Sequence, residues 1–250
     1  GENVMRYRLA LVTLLVSFLG TSSVLAQTGV SSVRSLACTI NPGYTLADVV
    51  ETARSFEWSE EVSPGFVAFR SKVAVSRPAN STLGFDFIWD FVYPSYADMV
   101  DKRGAFLRRQ AESDGRRTLD GVATCSDNVL MRSARTAAQL PGGQGSQEPL
   151  TAMATTSCEL NGATVADAVA MATGFGETLG AGSVVLSPAF GGQQRPIGST
   201  VQMMFIFQSF PDFGAAWDRL EQNLPDRDPQ NPISCSVPSL WASYSIHRDN

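Results

Sequence analysis

Apolar and polar residues follow two different periods along this chain. From residue 66 to 75 and from 85 to 93, apolar side chains occupy every second position, which predicts two β-strands. Val49, Val50 and Ala53 recur instead at helical spacing and predict an amphipathic helix. Strands at 36–40 and 121–131 and a second helix that begins at Ser95 complete the first copy. The order is strand, helix, strand, strand, helix, strand, and it occurs twice. The pattern therefore predicts an α+β fold built from two similar units.

The amino-acid letters repeat as well as the pattern. The segment CTINPGYTLAD, from Cys38 to Asp48, returns as CELNGATVAD from Cys158 to Asp167. In both copies a threonine lies three residues before an aspartate, which is typical of a capping box at a helix N-terminus. An internal repeat of this length indicates that one structural unit is present twice.

A segment rich in Gly, Pro and Gln separates the two copies. We interpret residues 132–156 as a linker, which leaves one lobe at 37–131 and another at 157–247. The β-α-β-β-α-β order is that of the ferredoxin-like unit, in which both helices cover one face of a four-stranded antiparallel sheet.

The first 26 residues predict a secretory signal peptide. Basic Arg6 and Arg8 precede an uncharged apolar stretch at 9–20, and small residues lead up to Ala26. The apolar stretch is short for a membrane span, although an uncleaved anchor is the alternative. We expect cleavage near Ala26 and Gln27, and export to the periplasm or the cell exterior.

Export would place the four cysteines in an oxidising compartment, where three pairings are possible. Each copy has one cysteine before its first helix and one after its second helix, which favours Cys38–Cys125 and Cys158–Cys235. A metal site is disfavoured, because the cysteines lack CxxC spacing and His247 is the single histidine.

The charge balance argues against nucleic acid as a partner. The formal net charge is −5, and the chain without residues 1–26 has 17 basic and 23 acidic side chains, a net charge of −6. Nucleic-acid binding needs a basic surface instead. We expect no nucleic-acid partner and no membrane span in the mature chain; association of several copies stays open.

Strand alternation places four charged residues on the sheet face that the first-lobe helices leave bare: Arg70 and Lys72 on one strand, Asp86 and Asp90 on the next. They are the candidate ligand-binding residues, and paired carboxylates could also perform acid–base chemistry. The alternative is a set of cross-strand ion pairs with a purely structural role, which is the commoner case.

In the second lobe the strand at 201–207 is apolar on both faces, so neither face is fully exposed to water. Packing the two bare faces together would cover them. In this layout the chain resembles the dimeric α/β-barrel superfamily, which includes cofactor-free monooxygenases, NIPSNAP-type domains and haem-binding chlorite-dismutase-like proteins. The resemblance implies an α+β barrel within one chain. A haem site is disfavoured, since His247 lies at the extreme C-terminus.

The sequence contains no nucleophile elbow, phosphate-binding glycine loop or metal-ligand cluster. The first hypothesis is therefore an exported, non-catalytic module that binds a small molecule or a protein partner without a cofactor. One alternative is a cofactor-independent monooxygenase or isomerase acting between the sheets; another is a self-assembling structural component. Trp58 and Trp241 are further candidate binding aromatics, although core packing is the commoner role of tryptophan.

Overall fold

The computed structural model describes residues 30–75, 84–112, 119, 121–126, 129–139, 150–190, 198–222 and 231–249. The predicted signal peptide lies outside these residues. The four helices of the described chain are α1 Leu46–Arg54, α2 Tyr96–Glu112, α3 Val165–Leu179 and α4 Phe210–Gln222. The strands are β1 Val30–Ile40, β2 Phe66–Ala74, β3 Phe87–Tyr93, β4 Ala123–Cys125, β5 Leu130–Ala138, β6 Leu150–Glu159, β7 Gly182–Phe190, β8 Thr200–Phe207, β9 Ser234–Cys235 and β10 Ser239–Arg248.

Eight of these strands close into one antiparallel barrel. Their order is β10, β2, β3, β1, β5, β7, β8 and β6, and β6 pairs with β10 to complete the ring. The short strands β4 and β9 pair with the ends of β1 and β6. Closure leaves none of the eight strands with an unpaired edge. The fold is therefore α+β with a closed barrel, as packing of two bare sheet faces would produce.

Both predicted capping boxes are confirmed. The Thr45 side chain accepts a hydrogen bond from the Asp48 backbone N–H, and the Asp48 carboxylate accepts one from the Thr45 N–H at 2.7 Å. Thr164 and Asp167 make the same reciprocal pair at the start of α3. These local bonds satisfy N–H groups that the first helical turn cannot pair internally.

The helices pack on the outside of the barrel, and the described core has three parts. One lies under α1 and α2 and includes Phe69, Phe87 and Trp89, as the alternation of β3 predicts. A second lies under α3 and α4. The third fills the barrel interior with Val33, Ala134, Met153, Leu186, Met204 and Trp241. None of the four described helices combines the length and the hydrophobicity that a membrane-spanning helix requires.

Strands occupy much of the segment predicted as a linker. β5 continues to Ala138 and β6 begins at Leu150, so 132–138 and 150–156 belong to the barrel wall, while 140–149 lie outside the described residues. The predicted last strand of the first lobe, at 121–131, is divided into β4 and the start of β5. Serine, threonine and arginine side chains in β5 conceal its strand pattern, because some of them point into a polar part of the barrel.

Both predicted disulfides are confirmed. Cys38 on β1 is joined to Cys125 on β4, and Cys158 on β6 is joined to Cys235 on β9. Each bond joins residues that are also direct cross-strand partners. The two disulfides therefore fasten equivalent positions in the two halves of the chain.

Candidate functional site

Two of the four predicted site residues meet inside the barrel. Arg70 on β2 donates from Nη2 to Oδ1 of Asp90 on β3 at 3.0 Å, and from Nε to Oδ2. The Arg70 side chain is 1% exposed and Asp90 is also buried. The paired charges thus form a two-bond ion pair in the barrel interior.

The other two predicted site residues, Lys72 and Asp86, each form a hydrogen bond with the backbone of a different residue. Lys72 donates to the carbonyl of Phe85, and its ammonium lies 5.0 Å from the centre of that residue's ring. Asp86 is exposed and accepts a hydrogen bond from the N–H of Ile40 at 2.8 Å. Lys72 and Asp86 therefore lie outside the buried cluster that holds Arg70 and Asp90.

The surroundings of Asp90 keep it ionised. Burial acts against its charge, but the charge and hydrogen bonds of Arg70, with Arg132 and Ser35, leave the pKa of Asp90 below its ordinary value. A general base works best when its pKa lies near the working pH. This position therefore favours a structural or ligand-positioning carboxylate over an acid–base catalyst.

A pocket of about 430 Å³ lies elsewhere, between α2 and the outer wall of the barrel. We call it the helix–sheet pocket. Its described lining residues are Arg34, Leu36, Trp58, Val62, Trp89, Phe91, Tyr93, Lys102, Arg103, Phe106, Leu107, Gln110, Leu119, Ala123, Thr124, Cys125, Ser126 and Val129.

Strand pairing arranges the wall of this pocket. Trp89, Phe91 and Tyr93 alternate along β3, so all three point toward the helices. On the neighbouring strand Arg34 is the direct partner of Phe91, and Leu36 is the partner of Trp89. The opposite wall comes from one face of α2.

The aromatic rings form a continuous surface. The ring centres of Trp89 and Phe91 are 4.5 Å apart, and Trp58 meets Phe91 edge-on at 6.3 Å. The indole N–H groups of Trp58 and Trp89 are buried and have no hydrogen-bond partner in the described structure. A buried donor without a partner is costly, so these two indole groups reduce the stability of the pocket wall.

Arg34 gives the pocket its electrostatic character. Its side chain is 8% exposed, and its guanidinium lies 5.4 Å from the centre of the Phe91 ring. Burial, and next the nearby charge of Arg103, lower the pKa of Arg34 to about 10, so it is still a cation at neutral pH. In the part of the chain that the structure describes, no carboxylate pairs with it.

Tyr93 adds a polar group at the same wall. Burial raises the pKa of its phenol, while Arg34 and Arg103 act in the opposite direction. The phenol therefore stays protonated near neutral pH and can donate a hydrogen bond. Lys102 is paired with Asp98 at 3.4 Å, and the described lining contains no aspartate, glutamate or histidine.

Sequence reasoning missed the main residue of this pocket. The predicted first strand begins at Leu36, whereas β1 begins six residues earlier at Val30, and therefore Arg34 lay outside the predicted lobe. Trp58, a predicted candidate, does line the pocket, whereas Trp241 is buried inside the barrel. One signal in the sequence could have identified Arg34. It lies on the same strand face as the apolar residues Leu36 and Cys38, which indicates a buried arginine.

His247 takes part in a compact polar cluster. Ser63 Oγ and Asp249 Oδ1 lie 2.7 and 3.0 Å from the same ring nitrogen, Nε2. A catalytic triad needs the hydroxyl and the carboxylate on opposite ring nitrogens. Burial acts against the charge of Asp249, but hydrogen bonds with Ser63 and His247 lower its pKa overall. This connectivity fits a structural anchor of β10 better than a nucleophile.

Comparison with known proteins gives distant similarity to solved structures. No family model and no curated protein matches it. Among solved structures it is similar to an anthrone oxidase-like protein, with 13% identity, a TM-score of 0.48 and coverage of 87% of this chain and 92% of the other. A candidate monooxygenase from Lactobacillus acidophilus has 9% identity, a TM-score of 0.45 and coverage of 88% and 95%. A candidate chlorite dismutase has 15% identity, a TM-score of 0.46 and coverage of 87% and 95%. Similarity at this level carries no information on activity.

Proposed function

We propose that this protein binds a planar aromatic anion in the helix–sheet pocket. The observation that carries the proposal is the buried guanidinium of Arg34, which has no described acidic partner and faces an aromatic wall. A cation taken out of water without a counter-ion is strongly unfavourable. An anionic ligand would supply the missing charge.

The pocket offers a separate contact for each part of such a ligand. The guanidinium fork of Arg34 suits a carboxylate or phenolate oxygen. Trp89 and Phe91 offer an apolar surface against which a flat ring can pack. The phenol of Tyr93 is an additional donor for an oxygen substituent.

The finer architecture that we infer is two ferredoxin-like lobes related to the dimeric α/β-barrel superfamily. The strand order β2, β3, β1, β5 in the first half corresponds position by position to β7, β8, β6, β10 in the second. Matching capping boxes and disulfides support the same division, with lobes near 37–131 and 157–247. The disulfides also support the proposal that the chain is exported, because they persist in oxidising compartments.

Cofactor-independent oxygenation is a second candidate, favoured by the two cations near Tyr93. Arg34 and Arg103 both act on that phenol electrostatically, in the direction of its ionised form. They would act in the same direction on a bound phenolic substrate, and the resulting phenolate is richer in electrons. Uptake of oxygen in the presence of a polycyclic phenol, lost in Arg34→Gln, would support this candidate.

A fluorescence titration tests the binding proposal. The probe is 2-naphthoate, and its neutral analogue is 2-naphthamide; the signal comes from the tryptophans of the pocket wall. We expect saturable binding of the naphthoate, and Arg34→Gln should weaken it roughly 10- to 100-fold, the worth of one charge-assisted hydrogen bond. Binding of the amide should change much less.

Arg108→Gln is the matched control. Arg108 is an exposed arginine on α2 outside the described pocket lining, so its removal changes the net charge equally. It should leave both affinities unchanged. Equal weakening by Arg34→Gln and Arg108→Gln, or equal binding of acid and amide, would contradict the proposal.

A further inference from the structure

The barrel interior holds a second group of buried charges, distinct from the helix–sheet pocket. Arg132 on β5 donates from Nη2 to Ser35 Oγ at 2.6 Å, and from Nη1 to Oε1 of Gln202 on β8. Ser35 in turn donates to Asp90, which Arg70 already binds. Five strands thus contribute to one hydrogen-bonded network.

The charges of this network do not balance among the described residues. Arg70 and Arg132 are buried cations, whereas Asp90 is the one buried carboxylate of the described structure. Arg132 Nη2 lies 3.8 Å from Asp90 Oδ1, so a single acid is shared by two guanidinium groups. The described network therefore has one excess positive charge.

Two hydrogen-bond donors of the network are also unused. Arg70 Nη1 and Arg132 Nε are buried and have no partner in the described structure. Burial, and next the charge of Arg70, lower the pKa of Arg132 to about 10, which still leaves it protonated near neutral pH. Buried cationic donors without acceptors are rare in structural networks, where each polar group is normally paired.

Arg132 and Gln202 reach a pocket of about 580 Å³, which we call the barrel-mouth pocket. Its described lining is Leu130, Arg132, Ser157, Cys158, Glu159, Leu186, Pro188, Thr200, Val201, Gln202, Ser234, Cys235 and Ser236. Arg132 is paired with Pro188 and Gln202 with Leu186, so the two polar groups lie beside apolar neighbours.

Glu159 is the one acid in this described lining, and it lies toward the outside. It is exposed and is paired with Thr200, two residues beyond the Ser157–Gln202 pair along the same two strands and on the same face. Successive same-face positions on a strand are about 7 Å apart. Glu159 therefore lies at the rim of the barrel-mouth pocket, while Arg132 and Gln202 lie at its inner end.

We propose that the barrel-mouth pocket binds a small aliphatic monocarboxylate, with its carboxylate on Arg132 and its alkyl chain along Leu130, Leu186 and Pro188. One negative charge neutralises the excess charge of the network, whereas a dianionic phosphate would overcompensate it. The apolar walls suit an alkyl chain. This site uses different residues from the aromatic-anion site and does not depend on it.

Thermal denaturation with sodium hexanoate tests the proposal, with sodium phosphate and sodium chloride at equal ionic strength as comparisons. Hexanoate should raise the Tm in a saturable manner, as a ligand of the folded state does, while the two inorganic salts should not. Failure of hexanoate to raise the Tm, or an equal rise with phosphate, would overturn the proposal.

Variants of Arg132 separate binding from a purely structural role. Without hexanoate, Arg132→Met should have a Tm no lower than the parent protein, because it removes the excess buried charge and leaves Asp90 paired with Arg70. It should show no hexanoate response. A Tm well below that of the parent, or a retained response, would contradict the proposal.

Arg132→Lys keeps the charge and removes the guanidinium fork, so it should weaken hexanoate binding roughly 10-fold or more. Arg108→Lys, the same exchange at an exposed arginine of α2 outside both described pocket linings, is the matched control and should leave hexanoate binding unchanged. Arg34→Gln should leave the hexanoate response unchanged. The hexanoate test and the naphthoate test can therefore give a negative result independently of each other.

Discussion

At the scale of single residues, three buried arginines dominate the electrostatics of the described structure. Arg34 lies outside the barrel under α2, whereas Arg70 and Arg132 lie inside it. Each buried cation is costly unless it is paired. Asp90 offsets this cost inside the barrel, so we expect the stability of the barrel interior to depend most strongly on this residue.

Replacement of Asp90 tests this dependence. Asp90→Asn would leave Arg70 and Arg132 buried without a carboxylate, and we expect the free energy of unfolding to fall by about 3–5 kcal/mol. Asp86→Asn is the matched control, because Asp86 is exposed and accepts a hydrogen bond from the Ile40 backbone; it should cost about 1 kcal/mol or less. Urea denaturation measures both, and equal losses would contradict this account.

The pH dependence of stability follows from the same carboxyl group. The pKa of Asp90 is lower in the folded protein than its ordinary value. Its stabilising contribution is thus fully present above the unfolded-state pKa, near 3.9, and is lost as the pH falls through the folded-state pKa. Urea midpoints of the parent should therefore fall more steeply below about pH 4 than those of Asp90→Asn. Parallel curves would show that Asp90 is not responsible.

At the scale of elements, α3 makes an unusually close approach to the barrel. A Cβ atom on Gly176 would lie 2.9 Å from Ser183 Oγ and 3.0 Å from the carbonyl oxygen of Ala181. Gly174, on the same helix, has no atom within 4 Å of the equivalent position. The glycine at 176 therefore sets the distance between helix and strand.

These two glycines form a matched pair for mutation. Gly174→Ala should stabilise the protein by about 0.5–1 kcal/mol, because alanine favours the helix. Gly176→Ala has the same propensity gain but must displace backbone at Ala181, so we expect a net loss of about 1–3 kcal/mol. Thermal or urea unfolding measures the difference. Stabilisation by both substitutions would refute the close approach.

The sequence predicts these elements well where the signal is local. Capping boxes at Thr45 and Thr164 and the alternation in β3 correctly give helix starts and the helix-facing core. β5 is harder, because Arg132, Ser133 and Thr136 mask its alternation and resemble a linker. Polar residues in a barrel interior look like surface residues until the partner strands are known.

At the scale of the whole molecule, closure of the barrel and the two disulfides act together. Cys38–Cys125 spans 87 residues and Cys158–Cys235 spans 77, so each restricts a large part of the unfolded chain. The duplicated pattern and the cysteine spacing predict both pairs. The helix–sheet pocket could not be predicted from the sequence, because it depends on how α2 packs against β1 and β3.

Removal of either disulfide should destabilise the protein, and removal of Cys38–Cys125 should also weaken binding of 2-naphthoate. The double variants Cys38→Ala/Cys125→Ala and Cys158→Ala/Cys235→Ala should each lose about 2–5 kcal/mol in the free energy of unfolding. Cys125 lines the helix–sheet pocket and Cys235 the barrel-mouth pocket. The first variant alone should therefore weaken 2-naphthoate binding, measured by the same titration. Weakening by the second variant instead would contradict the assignment of the two pockets.

A crystal structure of the protein with 2-naphthoate tests the aromatic-anion site most directly. We expect the carboxylate within hydrogen-bonding distance of the Arg34 guanidinium, with the rings against Trp89 and Phe91 under α2. Naphthoate bound only in the barrel mouth, or only on the outer surface with the helix–sheet pocket empty, would contradict it.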